Sequence, residues 1–359
     1  GMNVNLYGCD GKWLMVDLGM TFGANEYPGI ELVFADLEFI EDRTKDLLGQ
    51  SLPEPGDFPR QVERWIAELG MRDNALAWVC PVVPLFPEVQ EHIGFSFVVS
   101  DVIDDQREWP VSPDQRRALQ ENYDRTFAAT DVALANCQPV ADWLRLAGLS
   151  TRMVANGADS FPGVLEWEVP DALARLPRPI VGYSGNLGDR IDWDLISAVA
   201  DARPDWSIVL IGAVPKMAEA GPVLARRNVT ALGVVPYEQA VRHIAAFDAA
   251  MIPHRDSGLT QRMNPLKLYV YRALGIPVVT TDIANIDDLS NDVLIGRDPA
   301  DFIAKLDTAL IRRAEHGRDL PDPAKFESLL WPQRMRDIMA HVTEVFESSR
   351  TETKVTPAM

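Results

Sequence analysis

The stretch PIVGYSGNLGDRIDWDLISAVADARPDWSIVLIGA, residues 179–213, decides the fold of this chain. A short β-branched run at 180–183 is followed by a helical pattern at 194–202 and by a second apolar run at 207–211. Two apolar runs joined by a helical pattern are typical of a βαβ unit, in which the strands are parallel. Strands this apolar are buried on both faces of their sheet. The stretch therefore predicts an α/β fold built on a parallel sheet.

The same alternation extends in both directions from this unit. Downstream, the sequence predicts strands at 249–253, 277–280 and 293–295, and helices at 237–247, 265–274, 300–313 and 332–346. Upstream, with helical segments between them, it predicts buried strands at 76–80, 95–100, 132–136 and 152–154. We therefore expect a second Rossmann-like domain in the first half of the chain. Residues 51–59 have the composition of a loop, and the segment before them is too ambiguous to assign.

The length and the prolines of the chain predict where its domains divide. At 359 residues the chain exceeds the size at which one hydrophobic core stops growing, so two domains are expected. A turn, NGAD at 156–159, begins a segment in which repeated prolines interrupt any continuing helix. We therefore predict an N-terminal domain at 1–160, a C-terminal domain at 161–346 and a disordered polar tail at 347–359.

Charge and composition exclude several classes of protein. The formal net charge of -19 repels nucleic acid, and no local basic patch compensates for it. The three cysteines form no Cys-x-x-Cys pair, so neither a disulfide framework nor a thiolate metal site is indicated. The chain opens without a charged–apolar–small leader, and no apolar run approaches the ~18 residues that cross a bilayer. These features predict a cytoplasmic protein without a transmembrane segment.

The segment NPLK at 264–267 has the features of a helix start. Asn264 is a favoured N-cap residue, and Pro265 is favoured at the first helical position. Lys267 then lies in the first turn, where the helix dipole disfavours a cation. A phosphate bound to the first-turn amides would remove this penalty, so the segment is a candidate phosphate site. The alternative is a lysine side chain that simply reaches solvent.

Further candidate residues surround the ends of the predicted strands in the C-terminal domain. The turn GNLG at 185–188 follows the first strand, and glycine allows a ligand to approach the backbone closely. Arg190 and Arg262 carry guanidinium groups suited to phosphate, although each is also explained as an exposed loop arginine. His254 lies at a strand end, and the five histidines show no metal-ligand spacing.

Three aspartates follow the predicted strand at 95–100. Asp101, Asp104 and Asp105 therefore lie at the carboxyl end of a parallel strand, where the sites of α/β proteins gather. A carboxylate at this place can deprotonate an acceptor hydroxyl, and we select Asp104 as the candidate catalytic base. The alternative for each of them is a structural role as the cap of a turn.

Several of these segments together resemble the bacterial GT-B glycosyltransferases, of the group 1 or family 4 kind. The run NPLKLYVY at 264–271, with ALG at 273–275 and PVV at 277–279, is similar to the nucleotide-sugar motif of that family. VGYSG, ARPDW and LIG, at 181–185, 202–206 and 210–212, continue the resemblance, as do DVIDD and NGAD in the first half. The resemblance covers about residues 75–346 of the chain.

The resemblance implies a fold, a donor site and an activity. It implies the GT-B fold, in which an N-terminal acceptor domain and a C-terminal nucleotide-sugar domain, both Rossmann-like, face each other across a cleft. The nucleotide-sugar site implied by the motifs and the candidate positions comprises Gly185, Asn186, Arg190, His254, Arg262, Leu266 and Lys267. The co-substrate implied is a nucleoside diphosphate sugar, UDP-sugar first, without a metal and with retention at the anomeric carbon. The implied acceptor is a glycan, a lipid-linked molecule or a small molecule, with peripheral membrane contact allowed.

One departure from the family pattern keeps two rival functions open. Many retaining relatives place a glutamate that bonds the nucleotide ribose where this chain has Val270, and another where it has Arg262. A valine accepts no hydrogen bond from a hydroxyl. The rivals are a catalytically inactive GT-B relative that binds nucleotide or glycan, and a sugar-nucleotide epimerase, which needs no acceptor.

Overall fold

The computed structural model describes residues 4–9, 12–17, 58–68, 76–79, 86–286, 289, 293–322 and 326–353. The chain divides into two compact units, which are described separately below. Unit 1 comprises Gly1–Val154 and Ile338–Met359, and unit 2 comprises Ala155–Asp337.

Unit 1 is built on a six-stranded mixed sheet. Its strands are β1 (Val4–Cys9), β2 (Lys12–Asp17), β3 (Leu76–Val79), β4 (Phe97–Val102), β5 (Val132–Ala135) and β6 (Thr151–Met153), in the order β2-β1-β3-β4-β5-β6. Its helices are α1 (Phe58–Glu68), α2 (Phe86–Ile93), α3 (Pro113–Phe127) and α4 (Gln138–Leu146). Strands β3 to β6 are parallel, while β1 pairs antiparallel with β2 and β3. The hairpin of β1 and β2 lies in the segment that the sequence left unassigned, and α1 begins at Phe58, inside the predicted loop at 51–59.

Unit 2 contains a fully parallel six-stranded sheet. Its strands are β7 (Ile180–Ser184), β8 (Ser207–Ile211), β9 (Val229–Gly233), β10 (Ala249–Ile252), β11 (Val278–Thr281) and β12 (Val293–Gly296), in the order β12-β11-β10-β7-β8-β9. Its helices are α5 (Asp171–Ala174), α6 (Trp193–Ala202), α7 (Met217–Leu224), α8 (Tyr237–Ala245), α9 (Gly258–Gln261), α10 (Leu266–Ala273) and α11 (Pro299–His316). The central strand β7 is buried along its first four residues, as continuous apolar runs predict.

The helices of unit 2 cover both faces of this sheet. One buried cluster joins the apolar sides of α8 and α10 to strands β10 and β11. A second cluster joins α6 and α11 to β7 and β8. The predicted α/β fold with parallel sheets is thereby confirmed. Strand β9 was not predicted, and β6, predicted to be buried, exposes Arg152 and Met153 at the edge of its sheet.

The last helix, α12 (Trp331–Thr353), corrects the prediction for the C-terminal segment. Residues 347–353 are helical rather than disordered, and 354–359 lie outside the described residues. From Ile338 onward the helix belongs to unit 1, so the predicted division at 160/161 with a C-terminal domain ending at 346 does not match the two compact units. The reason is an apolar stripe, because Ile338 and Val342 are buried and Phe346 packs edge-on against Phe97 of β4.

A glycine in the middle of β7 allows the segment that follows α8 to pack closely against the sheet of unit 2. A Cβ atom at Gly182 would lie 2.0 Å from Cε2 of Phe247, whose side chain is fully buried. Close packing leaves this aromatic ring no space to move away without displacing its neighbours. The pairing of Gly182 with Phe247 is therefore a steric requirement of the fold.

We expect Gly182→Ala to lower the free energy of unfolding by about 1–3 kcal/mol, because the added methyl group overpacks the core. Phe247→Leu makes room for that methyl, so the double variant should lose less stability than the sum of the two single changes. Urea denaturation of the intact chain measures both effects. Gly221→Ala in α7 is the matched control, since its Cβ would meet nothing within 4 Å. Strict additivity of the two changes would contradict the steric account.

Candidate functional site

The turn that follows β7 touches the turn that follows β8 through backbone atoms. Gly185 N–H donates to the carbonyl of Ile211 at 2.9 Å. A Cβ atom at Gly212 would lie 1.9 Å from the Gly185 carbonyl oxygen, and both glycines have positive φ, +144° and +138°. Only glycine allows this approach and adopts these backbone angles without strain. The turn is thereby fixed at the carboxyl edge of the sheet, where α/β proteins bind ligands.

Lys267, from the start of α10, lies over this turn. Its Cε atom is 3.0 Å from the place that a Cβ of Gly185 would occupy, so a side chain at residue 185 would displace the lysine. The ammonium Nζ lies 5.2 Å from the centre of the Tyr183 ring, within the range of a cation–π contact. The glycine turn and the lysine, predicted separately from the sequence, are therefore neighbours.

The structure corrects the predicted beginning of α10. The helix starts at Leu266 with Pro265 as its N-cap, and no side chain among the described residues caps it. Asn264 is not the cap. Lys267 remains in the first turn, beside the positive end of the helix dipole, as predicted.

Asn264 instead anchors the segment that leads into α10. Its side chain is buried, and its amide oxygen accepts a hydrogen bond from the backbone N–H of Asn156 at 2.8 Å. Its amide nitrogen donates to the Tyr269 hydroxyl at 2.9 Å and to the Asn285 carbonyl at 2.7 Å. Asn285, with φ of 64°, donates in turn to the carbonyls of Gln261 and Met263. This amide network fixes the place at which the helix begins.

His254 lies beneath the lysine in a positively charged environment. Its residue exposure is 1%, and its Nε2 lies 3.4 Å from the Tyr183 hydroxyl. Burial first, and then the charges of Lys267 and Arg190, lower the pKa of His254 well below its ordinary 6.5. The imidazole is therefore neutral, and two cations act on it. Such an environment favours an anion.

Backbone contacts position Arg190 and His254 together. Arg190 accepts a hydrogen bond at its carbonyl from Arg255 N–H at 2.8 Å, and Asp192 N–H donates to the Pro253 carbonyl at 2.9 Å. Ile191 and His254 form an isolated antiparallel bridge between these two bonds. The loop after β7 is thus held against the end of β10, which brings two residues 64 positions apart into one site.

The remaining predicted residues of unit 2 are Asn186, Leu266 and Arg262. Asn186 is exposed, and its backbone carbonyl accepts a hydrogen bond from the Tyr183 hydroxyl at 3.3 Å. Leu266 is half-buried as the first residue of α10, and Arg262 is half-buried immediately after α9. As binding residues, these three positions stay predictions, as do Gly185, Arg190, His254 and Lys267.

Two buried tyrosines were missed by the sequence reasoning. Tyr271 of α10 is fully buried, and its hydroxyl accepts a hydrogen bond from Ser184 N–H at 2.8 Å, one residue before the glycine turn. Tyr183 packs under both Lys267 and His254. Burial raises the pKa of both hydroxyls, so each stays protonated. A tyrosine within an otherwise apolar strand or helix was the available signal, because a buried hydroxyl needs a partner.

A cavity of about 530 Å³ opens beside His254, at the carboxyl ends of β10, β11 and β12. The side chains and backbone that line it come from Asp192, Leu195, His254, Asp256, Gln261, Thr281, Asp282, Ile283, Ala284, Gly296, Arg297, Asp298 and Pro299. Asp192 and Asp298 are N-caps of α6 and α11, which fixes their carboxylates. Carboxylate and amide oxygens accept hydrogen bonds from hydroxyl groups. The cavity therefore suits a polyhydroxyl group better than a second anion.

In unit 1, the structure gives different roles to the three aspartates that follow the predicted strand. Asp105 is buried, caps a short 3₁₀ turn at Gln106–Glu108 and bonds Arg107 through both oxygens at 2.8 Å. Asp104 is half-buried, and its backbone carbonyl accepts from the Tyr123 hydroxyl at 3.4 Å. Asp101 accepts from Trp78 Nε1 at 3.2 Å, and burial raises its pKa to about 6. Burial therefore moves the titration of Asp101 toward neutral pH, which the sequence did not reveal.

Two further properties concern the part of the chain that the structure describes. Within it, no three His, Cys, Asp or Glu side chains come close enough together to hold a metal ion. None of the described helices combines the length and the apolarity needed to cross a membrane. Metal independence stays a prediction.

The geometry of unit 2 agrees with a comparison to known families. Residues 178–311 match the family described as Glycosyl transferases group 1. The chain carries a group 1 glycosyltransferase domain. This domain contains β7 to β12, the glycine turn, His254 and Lys267. The putative teichuronic acid biosynthesis glycosyltransferase TuaH of Bacillus subtilis is 25% identical over 137 residues, which are 36% of this chain and 34% of that protein.

Solved structures extend the likeness from the group 1 domain to the fold of most of the chain. The α,α-trehalose 6-phosphate synthase of Burkholderia multivorans gives a TM-score of 0.59 at 13% identity, covering 90% of this chain and 82% of that one. Anabaena Alr3699/HepE in complex with UDP-glucose gives 0.51 at 14% identity, covering 74% and 75%. These likenesses show the fold, which is GT-B with two Rossmann-like units.

We expect the imidazole of His254 to stay neutral at pH 5.5, because burial and two neighbouring cations disfavour its protonation. The unfolded chain binds a proton at this residue below about pH 6.5, so the contribution of His254 to stability is present above that pH and is lost as the pH falls. Long-range ¹H–¹⁵N NMR of the ring measures the protonation state. Lys267→Ala should raise the pKa of His254, and an ordinary titration near 6.5 in the unaltered chain would contradict the geometry.

Proposed function

We propose that this protein is a glycosyltransferase that moves a sugar from a nucleoside diphosphate sugar to an acceptor hydroxyl. The observation that carries the proposal is the meeting of the Lys267 ammonium with the glycine turn at Gly185, above a neutral His254 that Arg190 also faces. A fixed cation, close backbone and the start of a helix together suit a diphosphate. The group 1 match of residues 178–311 supports the same assignment.

The proposed reaction breaks the bond between the anomeric carbon of the sugar and the diphosphate oxygen. Negative charge then develops on the departing diphosphate, and Lys267 and the first-turn amides of α10 stabilise it. The acceptor oxygen forms the new bond to the anomeric carbon and loses its proton. Asp104 is the predicted base for that proton, with Asp101 as its competitor because its pKa lies near 6. Retention of configuration rests on the family resemblance.

The proposal assigns binding groups to the diphosphate of the donor but no hydrogen-bonding group to its ribose. Val270 lies at the position where many relatives carry a ribose-binding glutamate, and it is 6% exposed within the core around α10. It supplies no hydrogen bond to a ribose hydroxyl. We propose a UDP-sugar as donor, which the Anabaena neighbour solved with UDP-glucose supports. The carboxylate-lined cavity beside His254 is the proposed place for a polyhydroxyl part of the donor.

For the acceptor we propose a glycan or a lipid-linked sugar. The chain spans about a third of the length of the curated relative that is described as acting in teichuronic acid biosynthesis. A structural neighbour is the lipopolysaccharide outer core galactosyltransferase WaaB, at 16% identity and a TM-score of 0.51. A place in polysaccharide synthesis, a cytoplasmic location and peripheral contact with a membrane belong to this proposal.

A second candidate function follows from Val270. A GT-B relative that has lost the ribose contact binds a nucleotide or glycan without turnover. Calorimetry with UDP, GDP and dTDP sugars, followed by a donor hydrolysis assay, separates this candidate from the enzyme. Tight binding without turnover in every acceptor mixture favours the inactive relative. Incubation with donor alone, followed by NMR for an epimer, tests the epimerase alternative.

We expect Lys267→Ala to weaken the binding of UDP by roughly 1.5–3 kcal/mol, which is the scale of a charge-assisted hydrogen bond. Isothermal titration calorimetry of the intact chain measures the affinity. Lys305→Ala is the matched control, since Lys305 lies in α11 near Asp301 and should leave the affinity unchanged. An unaltered affinity in Lys267→Ala would remove the central argument for a diphosphate site.

We expect Asp104→Asn to lower kcat by about 10²-fold or more, since general base catalysis contributes 10²–10⁴ to the rate. UDP affinity should stay unchanged, because the predicted base acts on the acceptor hydroxyl and not on the diphosphate. The pH–rate profile of Asp101→Asn decides between the two carboxylates. If the acid limb near pH 6 disappears in Asp101→Asn and persists in an active Asp104→Asn, the base is Asp101 and our choice is wrong.

A further inference from the structure

A second cavity, of about 980 Å³, lies at the opposite edge of the unit 2 sheet. Pro179, Trp206 and Asp248 line it and precede β7, β8 and β10, so it opens at the amino ends of these strands. The other lining residues are Leu165, Arg178, Asp307, Leu310, Ile311, Arg313, Ala314, Gly317 and Arg318. We name it the arginine cavity. It is separate from the carboxyl edge, which carries Lys267 and His254.

The carboxylates of the arginine cavity are already engaged. Asp248 accepts from Arg178 Nη1 at 2.5 Å with one oxygen and from Ile180 N–H at 2.7 Å with the other. Asp307, the other lining carboxylate among the described residues, accepts from the guanidinium of Arg203. Arg178 and Arg203 therefore balance the two aspartates. The charges of Arg313 and Arg318 are left over.

These two arginines differ in what their nitrogens contact. Arg318 donates to the carbonyls of Leu274 at 2.7 Å and Ala245 at 2.6 Å, which lie at the ends of α10 and α8. Nη1 of Arg313 is buried and has no hydrogen-bond partner among the described residues. Neither lining carboxylate among the described residues bonds Arg313, since Asp248 bonds Arg178 and Asp307 bonds Arg203. Arg313 therefore adds to the cavity wall a positive charge that these two carboxylates do not pair with.

The crowding of like charges points in the same direction. Burial and the neighbouring charge of Arg313 lower the pKa of Arg318 to about 10, although Asp248 opposes this change. Burial also lowers the pKa of Arg313, where Arg178 adds to the effect and Asp248 opposes it. A bound anion would favour both charged guanidinium groups. The cluster exists within a chain of formal net charge -19, so its positive character is local.

Apolar side chains complete the wall of the cavity. Leu165 is 65% exposed and Ile311 57% exposed, while Trp206 and Leu310 are more buried. A ligand that places an apolar or aromatic body against Leu165 and Ile311 would cover surface that now faces water. Two unbalanced arginine charges match the two negative charges of a phosphate monoester.

We propose that the arginine cavity binds a small phosphate monoester with an apolar or aromatic body, at a site separate from the proposed donor site. Guanidinium groups provide bidentate contacts to phosphate oxygens, and Arg313 and Arg318 both line the cavity. The inference goes beyond the proposed transferase activity and does not depend on it.

Phenyl phosphate is the probe, and its binding is measured by calorimetry at low salt. The full chain used for this measurement carries Lys267→Ala, which keeps the proposed donor site weak. One molecule should bind per chain, more tightly than inorganic phosphate. Arg313→Gln should weaken binding roughly ten- to a hundredfold, as the loss of a charge-assisted hydrogen bond predicts. The neighbouring Arg312→Gln is the matched control, since Arg312 is exposed and does not line the cavity.

A second variant keeps the test decisive if Arg313→Gln lowers the folding yield. Ala314 is an exposed lining residue, so Ala314→Glu places a carboxylate in the cavity without disturbing the core and should abolish binding. Equal affinity in Arg313→Gln and Arg312→Gln, or no binding of phenyl phosphate at all, would overturn the proposal. UDP affinity of Arg313→Gln in the otherwise unaltered chain should stay normal, so failure here is distinct from failure of the donor site.

Discussion

The backbone contact between Gly185 and Gly212 is the constraint on which the rest of the candidate site depends. Because a carbonyl oxygen occupies the place of a side chain at residue 212, the turns after β7 and β8 close against each other. Gly185 then offers a surface without a side chain, and Lys267 lies across it with its charge near Tyr183. Burial, and then the charges of this lysine and Arg190, lower the pKa of His254 and keep its imidazole neutral. The position of the lysine charge in the candidate site thus depends on the close approach of two glycines.

The sequence predicted the fold well wherever burial makes a strand apolar on both faces. The predicted strand 207–211 and the strand β8 coincide, because every residue of it is buried. Strand β9 was missed because it lies at the sheet edge, where only Val229 is buried and its companions alternate with solvent. The polar composition of residues 347–353 predicts a disordered tail, but these residues are helical. What fixes α12 is the earlier stripe of Ile338, Val342 and Phe346, which the sequence could not assign to a unit.

The candidate site was predictable in its residue types but not in its geometry. Lys267 and the turn at Gly185 were both selected from the sequence, and the structure brings them together. Asn264 was taken for a helix cap, because capping is a local pattern that sequence reveals. Its partner Asn156 lies 108 residues away, so a long-range bond replaced the local one. The arginine cavity brings Arg178 to Arg313 and Arg318, which lie far from it in the chain, and no spacing rule connects them.

Helix α10 is held at both of its ends. At its start, the network around Asn264 fixes the chain, and at its end the guanidinium of Arg318 bonds the carbonyl of Leu274. Between these points Tyr271 ties the helix to Ser184. The backbone that presents Lys267 is therefore ordered during folding rather than during ligand capture. The backbone that carries this lysine is therefore preorganised before an anion binds. Most of the conformational entropy lost on association is then the entropy of the ligand.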